Sequence, residues 1–220
     1  TGSGSKILVF SVPFDNLVLY FCRKLILFLY SKAIYDGKRN LLIKRGEIIM
    51  SREYLKKLIM AALFAALACV ATMIIKVPTP GTEGYINLGD AIVILCGVIL
   101  GPVWGFLAAG IGSCLADLIG GYFVYVPITF VIKGLVALCA GLVYRAIGKT
   151  KTTRYAGVIL GGVIDIILVA GGYFVCEYFI YGAGAAASIP GNIIQGIGGL
   201  VISAILYPAL IAIPYIRNSS

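Results

Sequence analysis

Four ionisable side chains lie inside long apolar stretches of this sequence, at Asp117, Lys133, Asp165 and Glu177. A charged group within a membrane-spanning segment is costly and therefore indicates function. One interpretation is a structural ion pair of Lys133 with Asp117 or Glu177, which lowers the cost of burying both charges. The other is a polar pocket that binds a small charged or hydrogen-bonding ligand. The two interpretations are compatible, and the sequence leaves both open.

Several catalytic classes are excluded by residues that the sequence lacks. It contains no histidine, so histidine zinc sites, Ser-His-Asp triads and Cys-His dyads are excluded. The six cysteines are scattered without a C-x-x-C pair and are interpreted as small apolar residues. No G-x-x-x-x-G-K-[ST] loop is present, so the chain has no ATPase motif of its own. We expect a protein that is not an enzyme, with no catalytic residue, metal or cofactor.

Composition places these residues in a lipid bilayer. Apolar residues make up 60% of the chain and charged residues only 12%, whereas soluble domains carry about 25% charged residues. The formal charge of +9 comes largely from basic residues at helix ends and in residues 1–49. That distribution is typical of a membrane protein, and we predict no binding to nucleic acid.

Six apolar stretches follow Met50, each a candidate for a membrane-spanning helix, which needs about 20 apolar residues. The predicted helices cover residues 54–77, 89–100, 102–119, 126–147, 154–180 and 189–215. We therefore predict an all-α integral membrane protein, a bundle of six transmembrane helices. Its short second helix must be tilted or covered by neighbours. Glycines four residues apart, at Gly101 and Gly105 and at Gly157 and Gly161, predict close helix packing.

Basic residues predict the orientation of this bundle. They precede the first helix, fill the connection at 145–154 and follow the sixth helix at Arg217. Because positive charge remains cytoplasmic, we predict a multi-pass protein of the bacterial plasma membrane with both ends of the bundle inside. The loops 77–88, 120–125 and 181–188 then lie outside. Lys133 lies roughly 10 Å below that outer side, at 1.5 Å per residue.

Residues 1–49 do not fit the bundle. Residues 44–50, Lys-Arg-Gly-Glu-Ile-Ile-Met, can be encoded by a purine-rich run that looks like a ribosome-binding site before a start codon. One hypothesis is that Met50 is the native start and that residues 1–49 are leader or non-native sequence. The alternative is an amphipathic or weakly inserted helix at 17–34 on the membrane surface. In both cases residues 50–220 form the transmembrane domain.

A series of short motifs is specific in combination, although each is weak alone. The motifs are Gly84-Tyr85-Ile86-Asn87-Leu88-Gly89-Asp90, Leu100-Gly101-Pro102, Ala116-Asp117-Leu118, Lys133-Gly134, Gly172-Tyr173-Phe174, Glu177-Tyr178 and Ser188-Ile189-Pro190-Gly191-Asn192-Ile193-Ile194-Gln195. Over residues 50–216 the chain resembles S components, the substrate-binding subunits of energy-coupling factor (ECF) transporters. It is most similar to the branch for vitamin B6 forms or the thiamin precursor hydroxymethylpyrimidine.

The resemblance implies a membrane-embedded, high-affinity vitamin-binding subunit of an ATP-driven uptake transporter. Such subunits associate with a transmembrane coupling subunit and two ATPase subunits. The family's ligand site maps onto Tyr85, Asn87, Lys133, Tyr173, Glu177, Asn192 and Gln195. The family's docking motif for the coupling subunit maps onto Ala61, Ala62, Ala65 and Ala66.

Within this scheme we assign charge complementarity to Lys133 and Glu177 and orienting hydrogen bonds to Asn192 and Gln195. Tyr85 is predicted to close the outer gate. Two alternatives stay open: an S component for riboflavin or another vitamin, and a stand-alone proton-coupled secondary transporter of a small molecule.

Overall fold

The computed structural model describes residues 42–44, 47–49, 52–74, 76–78 and 85–213, in a chain that divides into two compact units, Thr1–Tyr54 and Leu55–Ser220. Within the first unit, β1 (Leu42–Lys44) and β2 (Glu47–Ile49) form an antiparallel hairpin. The helix predicted at 17–34 lies outside the described residues. The assignment of residues 1–49 as leader sequence stays a prediction.

The described part of the second unit consists of six α-helices and a short hairpin. The first helix, α1, begins three residues earlier, at the end of the first unit. The helices are α1 (Arg52–Ile74), α2 (Asp90–Leu100), α3 (Pro102–Gly120), α4 (Tyr125–Ile147), α5 (Lys151–Tyr181) and α6 (Ile189–Ile211). A 3-10 helix, Gly182–Ser188, joins α5 to α6. The strands β3 (Lys76–Pro78) and β4 (Tyr85–Asn87) pair antiparallel between α1 and α2. Each of the six predicted helices is present.

The hairpin of β3 and β4 occupies chain that was predicted to be helix and loop. The predicted extension of the first helix to residue 77 is wrong, because Val77 pairs with Ile86 across the hairpin. The proline at the end of β3 would also remove a helical hydrogen bond if the helix continued. We call the end of the bundle that contains this hairpin, the α3–α4 connection and the 3-10 helix the hairpin end.

The short helix α2 is the centre of the bundle. Nine of its eleven residues are buried, and it packs against α3, α4, α5 and α6. Its length is only about 16 Å at 1.5 Å per residue, against roughly 30 Å for the bilayer core. The prediction that neighbouring helices cover this short helix is therefore confirmed.

Glycines allow these helices to approach closely. A Cβ added to Gly105 of α3 would lie 2.6 Å from the Cα of Gly97 in α2, and one added to Gly161 of α5 would lie 3.0 Å from the Cβ of Ala140. Between α2 and α3, Gly101 adopts a φ of 84°, a conformation that glycine tolerates best. Pro102 then begins α3.

The described helices present apolar surface of the length that a bilayer requires. Four stretches are long and apolar enough to cross a membrane: Tyr54–Ile74, Pro102–Gly120, Tyr125–Ile147 and Lys151–Ile211. The last stretch comprises α5, the 3-10 helix and α6. It folds back on itself, because Gly162 of α5 lies against Leu200 of α6. Large apolar side chains such as Ile74 and Phe179 are exposed, at 72% and 84%. The described bundle is that of an all-α membrane protein.

Candidate functional site

A cavity at the hairpin end collects polar and aromatic side chains from six segments of the chain. It contains about 410 Å³ of space between atoms, its open mouth included. It is lined by Thr72, Tyr85, Asn87, Ser113, Asp117, Tyr125, Thr129, Lys133, Tyr173, Glu177, Asn192 and Gln195. All seven residues predicted to bind the ligand lie in this lining. Their role in binding stays a prediction.

Lys133 of α4 forms a buried ion pair with Asp90, the first residue of α2. The two side chains are 2% and 0% exposed. The other Asp90 oxygen accepts a hydrogen bond from Nε2 of Gln195 at 2.8 Å. The prediction that Lys133 pairs with Asp117 or Glu177 is wrong, because α2 begins inside the bundle against α4 and directs its first carboxylate at the lysine.

Gln195 connects this ion pair to the hairpin. Its Oε1 accepts a hydrogen bond of 2.7 Å from the backbone N–H of Asn87. The side-chain oxygen of Asn87 in turn accepts from the backbone N–H of Gly89 at 2.8 Å, which fixes the turn into α2. We call Asn87, Asp90, Lys133 and Gln195 the polar frame. The frame joins β4, α2, α4 and α6, and each of its four members makes at least one hydrogen bond to another member.

Glu177 of α5 is held by two neutral donors. The hydroxyl of Tyr125 donates to its Oε1 at 3.0 Å, and the hydroxyl of Ser188 donates to its Oε2. Within the described part of the chain, no cation forms a salt bridge with this buried carboxylate. One turn earlier, Tyr173 shares a hydrogen bond of 2.8 Å with Thr129. Hydrogen bonds from two hydroxyl groups therefore fix the position of the Glu177 side chain without a positive counter-charge.

Tyr85, which lines the cavity, packs against a second aromatic ring and a lysine. The hydroxyl of Tyr85 donates to Oδ1 of Asp117 at 2.5 Å, and its ring lies 4.6 Å from that of Tyr122. Nζ of Lys76 lies 4.5 Å from the centre of the Tyr85 ring, a cation–π contact. Burial, followed by the Asp117 charge, raises the pKa of Tyr85. Its hydroxyl consequently remains a donor at all physiological pH values.

Among the residues that the structure describes, three buried side chains have polar atoms without a hydrogen-bond partner. They are Oγ of Ser113, Oδ2 of Asp117 and both carboxylate oxygens of Asp165. Ser113 and Asp117 line the cavity, whereas Asp165 does not. Asp165 lies beside α6, where a Cβ added to Gly196 would come within 3.3 Å of its Oδ2. Of these three described side chains, Ser113 and Asp117 of α3 can therefore meet a ligand in this cavity.

Carboxyl groups outnumber ammonium groups in and directly behind the cavity lining. Asp117 and Glu177 line it together with Lys133, and Asp90 lies directly behind the lysine. A surplus of carboxylates favours ligands that donate hydrogen bonds or carry positive charge. No cluster of His, Cys, Asp or Glu suited to a metal ion occurs among the residues that the structure describes.

The four alanines predicted to dock the coupling subunit lie on two sides of α1. Ala62 and Ala66 are exposed, Ala65 is half-buried and Ala61 is buried at 7%. Ala65 packs against Gly112 of α3, and the helical period places Ala61 on the same inner side. The inclusion of Ala61 in an exposed docking surface is therefore corrected: it packs within the bundle.

Two functional features were missed from the sequence. Asp90 was treated as the border of a loop, although an acidic residue at a helix N-terminus after a turn motif is a recognised signal. Ser113 and Thr129 were given no role in the site, because hydroxyl residues are common in membrane helices as packing groups. Their depth in α3 and α4, level with Asp117 and Lys133, was the available signal.

A family model and a solved structure that match this chain both describe the S component of an ECF transporter. A family model described as "ECF-type riboflavin transporter, S component" matches residues 53–212. A Pyrococcus woesei protein described as uncharacterised is 37% identical over 134 residues, which is 60% of this chain and 86% of the relative.

A second relative, "Thiamine precursor transporter HmpT" of Lactococcus lactis subsp. cremoris, is 29% identical over 164 residues, covering 74% of this chain and 92% of the relative. A solved chain described as "Structure and mechanism of the S component of a bacterial ECF transporter" aligns with a TM-score of 0.52 and 26% identity. That alignment covers 72% of this chain and 96% of the solved one.

Proposed function

The chain belongs to the family of ECF transporter S components, and from this premise we propose that it captures a small nitrogen heterocycle at the outer face of a cell membrane. The observation that supports this proposal is the cavity at the hairpin end. Its lining brings buried polar groups from six segments together beside aromatic rings. Concave sites with a few convergent polar groups are typical of small-molecule binding.

The ligand we infer is the thiamin precursor hydroxymethylpyrimidine, with a vitamin B6 form as the second candidate. A related protein is named as a thiamine precursor transporter. The excess of carboxylates over ammonium groups suits a heterocycle with an amino group and a protonatable ring nitrogen. Tyr173 and Tyr85 offer ring surfaces on which a flat ligand can stack.

Riboflavin is the alternative that the family description favours. Riboflavin is larger and carries no amino group or positive charge, so it gains less from the acidic lining. The internal hydrogen bonds of the polar frame, and that of Glu177 with Tyr125, leave little room for a large ligand without rearrangement. A stand-alone proton-coupled permease, the other alternative, does not suit a member of this family.

We propose that six helices cross the membrane, with both ends of the bundle in the cytoplasm, in a bacterial plasma membrane. The partners are a transmembrane coupling subunit and two ATPase subunits, which supply the energy that this chain cannot. Ala62 and Ala66 are exposed on α1, and a surface of small side chains permits close and reversible helix contact. We assign docking to this pair, with Ala65 at its edge.

Ligand binding to the purified chain tests the substrate. Isothermal titration with hydroxymethylpyrimidine, pyridoxine and riboflavin should give the tightest dissociation constant for hydroxymethylpyrimidine. Glu177→Gln should weaken that binding at least tenfold, about 1.4 kcal/mol. Ser203→Ala, a buried change in α6 away from the cavity lining, is the matched control and should bind as wild type. Preference for riboflavin would refute the assigned ligand class.

Uptake in cells that also express the coupling module tests the partners. Ala62→Trp should abolish ATP-dependent uptake while leaving the dissociation constant of the ligand unchanged. Ala209→Trp places the same bulk at an exposed alanine of α6 and should transport normally. Equal uptake by both variants would show that α1 is not the docking surface.

A further inference from the structure

Ser113 and Asp117 present the cavity with unused hydrogen-bonding capacity. They are one helical turn apart on α3, so their side chains lie on the same face, about 6 Å from each other at Cβ. Both are buried, at 0% and 3% exposure, and both line the cavity. Oγ of Ser113 and Oδ2 of Asp117 have no partner in the structure.

Such atoms are unusual, since nearly all buried polar groups in native proteins are hydrogen-bonded. Leaving a buried donor or acceptor without a hydrogen bond costs about 1–3 kcal/mol, and more for a charged group. Tyr85 uses only Oδ1 of Asp117. The hydroxyl of Thr129 lies close to the same carboxylate, but its hydrogen bond of 2.8 Å is made with Tyr173. The two α3 atoms therefore stand ready for a group supplied from the cavity.

The chemistry of the pair defines that group. Oδ2 of a carboxylate is an acceptor only, whereas a serine hydroxyl can donate as well as accept. A ligand edge with an amino group beside a ring nitrogen is complementary, because the amino group donates to Asp117 and the ring nitrogen accepts from Ser113. An oxo group at the same position would place an acceptor against the carboxylate.

We propose that Ser113 and Asp117 form an amino-recognition subsite, which makes this S component select heterocycles with an exocyclic amino group over their oxo or hydroxy counterparts. The subsite rests on the proposed function, because it acts on the ligand in the same cavity. It adds a preference for an amino group to the contacts that the polar frame offers, because both carboxylate oxygens of Asp90 are already bonded within the frame. Tyr85 has a second role here, since its bond to Oδ1 orients the free Oδ2.

Two matched ligand pairs separate the subsite from the choice of ring. One pair is hydroxymethylpyrimidine and its oxo analogue, in which oxygen replaces the amino group. The other is pyridoxamine and pyridoxine, which differ because an aminomethyl group of the first is a hydroxymethyl group in the second. Dissociation constants are measured by titration on the full-length chain, for wild type and for variants whose monodisperse elution and thermal unfolding match wild type.

Wild type should bind the amino member of at least one pair tenfold or more tightly. Ser113→Ala should reduce that ratio to threefold or less. Asp117→Asn replaces an acceptor with a donor of the same shape, so the ratio should fall at least tenfold and move toward the oxo ligand. A purely structural role would weaken both members of a pair equally. Ser203→Ala, which removes a buried hydroxyl outside the cavity lining, is the control and should keep the wild-type ratio.

The measurements distinguish a failure of the subsite from a failure of the assigned ligand class. Wild type that binds both members of each pair equally, or variants that keep the wild-type ratio, would overturn the subsite and leave the proposed function intact. Wild type that binds riboflavin and neither pair would overturn the assigned ligand class and the subsite together.

Discussion

Replacing Lys133 by methionine tests the polar frame, because methionine keeps most of the side-chain length and removes the ammonium group. The partner, Asp90, is 0% exposed, so solvent cannot screen the carboxylate that is left behind. Its one remaining hydrogen-bond donor in the frame is Nε2 of Gln195. Removing one partner of a buried ion pair costs about 3–5 kcal/mol. We expect Lys133→Met to lose stability in that range.

Chemical unfolding in detergent micelles measures the loss, and a double-mutant cycle assigns it to the pair. Asp90→Asn combined with Lys133→Met removes both charges and keeps an oxygen for Gln195. This double variant should recover about 1–3 kcal/mol relative to the sum of the single variants. Lys149→Met, at an exposed position after α4, is the matched control and should change stability by less than about 0.5 kcal/mol.

Two results would refute this reasoning. If Lys133→Met unfolds at the same denaturant concentration as Lys149→Met, the pair does not hold the frame together. If the double variant is as unstable as the two single changes added, the two charges do not interact.

Three further predictions concern other parts of the bundle. Gly162→Ala would place its Cβ 2.6 Å from a leucine of α6 and should cost about 1–3 kcal/mol of stability; Gly171→Ala, with no neighbour within 4 Å, should stabilise by up to about 1 kcal/mol. Tyr207→Phe removes a 2.8 Å hydrogen bond to α4 away from the cavity, so stability should fall by about 1 kcal/mol with ligand affinity unchanged. Tyr85→Phe removes the bond to Asp117, and stopped-flow measurements should show ligand release accelerated about tenfold, the equivalent of 1.4 kcal/mol.

Much of the fold follows from local features of the sequence. Apolar run lengths predicted six helices at the places where they occur, and the Gly101-Pro102 break between the second and third is confirmed by the φ of Gly101. The β3–β4 hairpin was not predicted, because strands of three residues are too short for an alternating pattern to be recognised. The strands pair across the residues between them, and the sequence has no periodic pattern there that would indicate the pairing.

The site was predicted in its depth but not in its pairing. Counting residues from the helix end placed Lys133 below the predicted outer side, and it lines one cavity with Glu177 and Gln195. Which side chains bond depends on how each helix is rotated and on the central position of α2. These are properties of the packed bundle, so Asp90 as the partner of Lys133 could not be deduced from spacing. The same limit placed Ala61 on the wrong side of α1.

Two groups of polar residues in this cavity differ in role: those with hydrogen bonds to one another stabilise the fold, and those with unpartnered atoms select the ligand. Groups of the polar frame are bonded mainly to one another, so their removal should lower stability and ligand affinity together. The unpartnered atoms of Ser113 and Asp117 contribute nothing to the ligand-free fold and instead carry a desolvation cost. Ligand binding removes that cost, so substitutions there should alter selectivity and leave stability unchanged or improved. An S component built in this way can change its substrate through α3 while keeping the frame that holds its helices together.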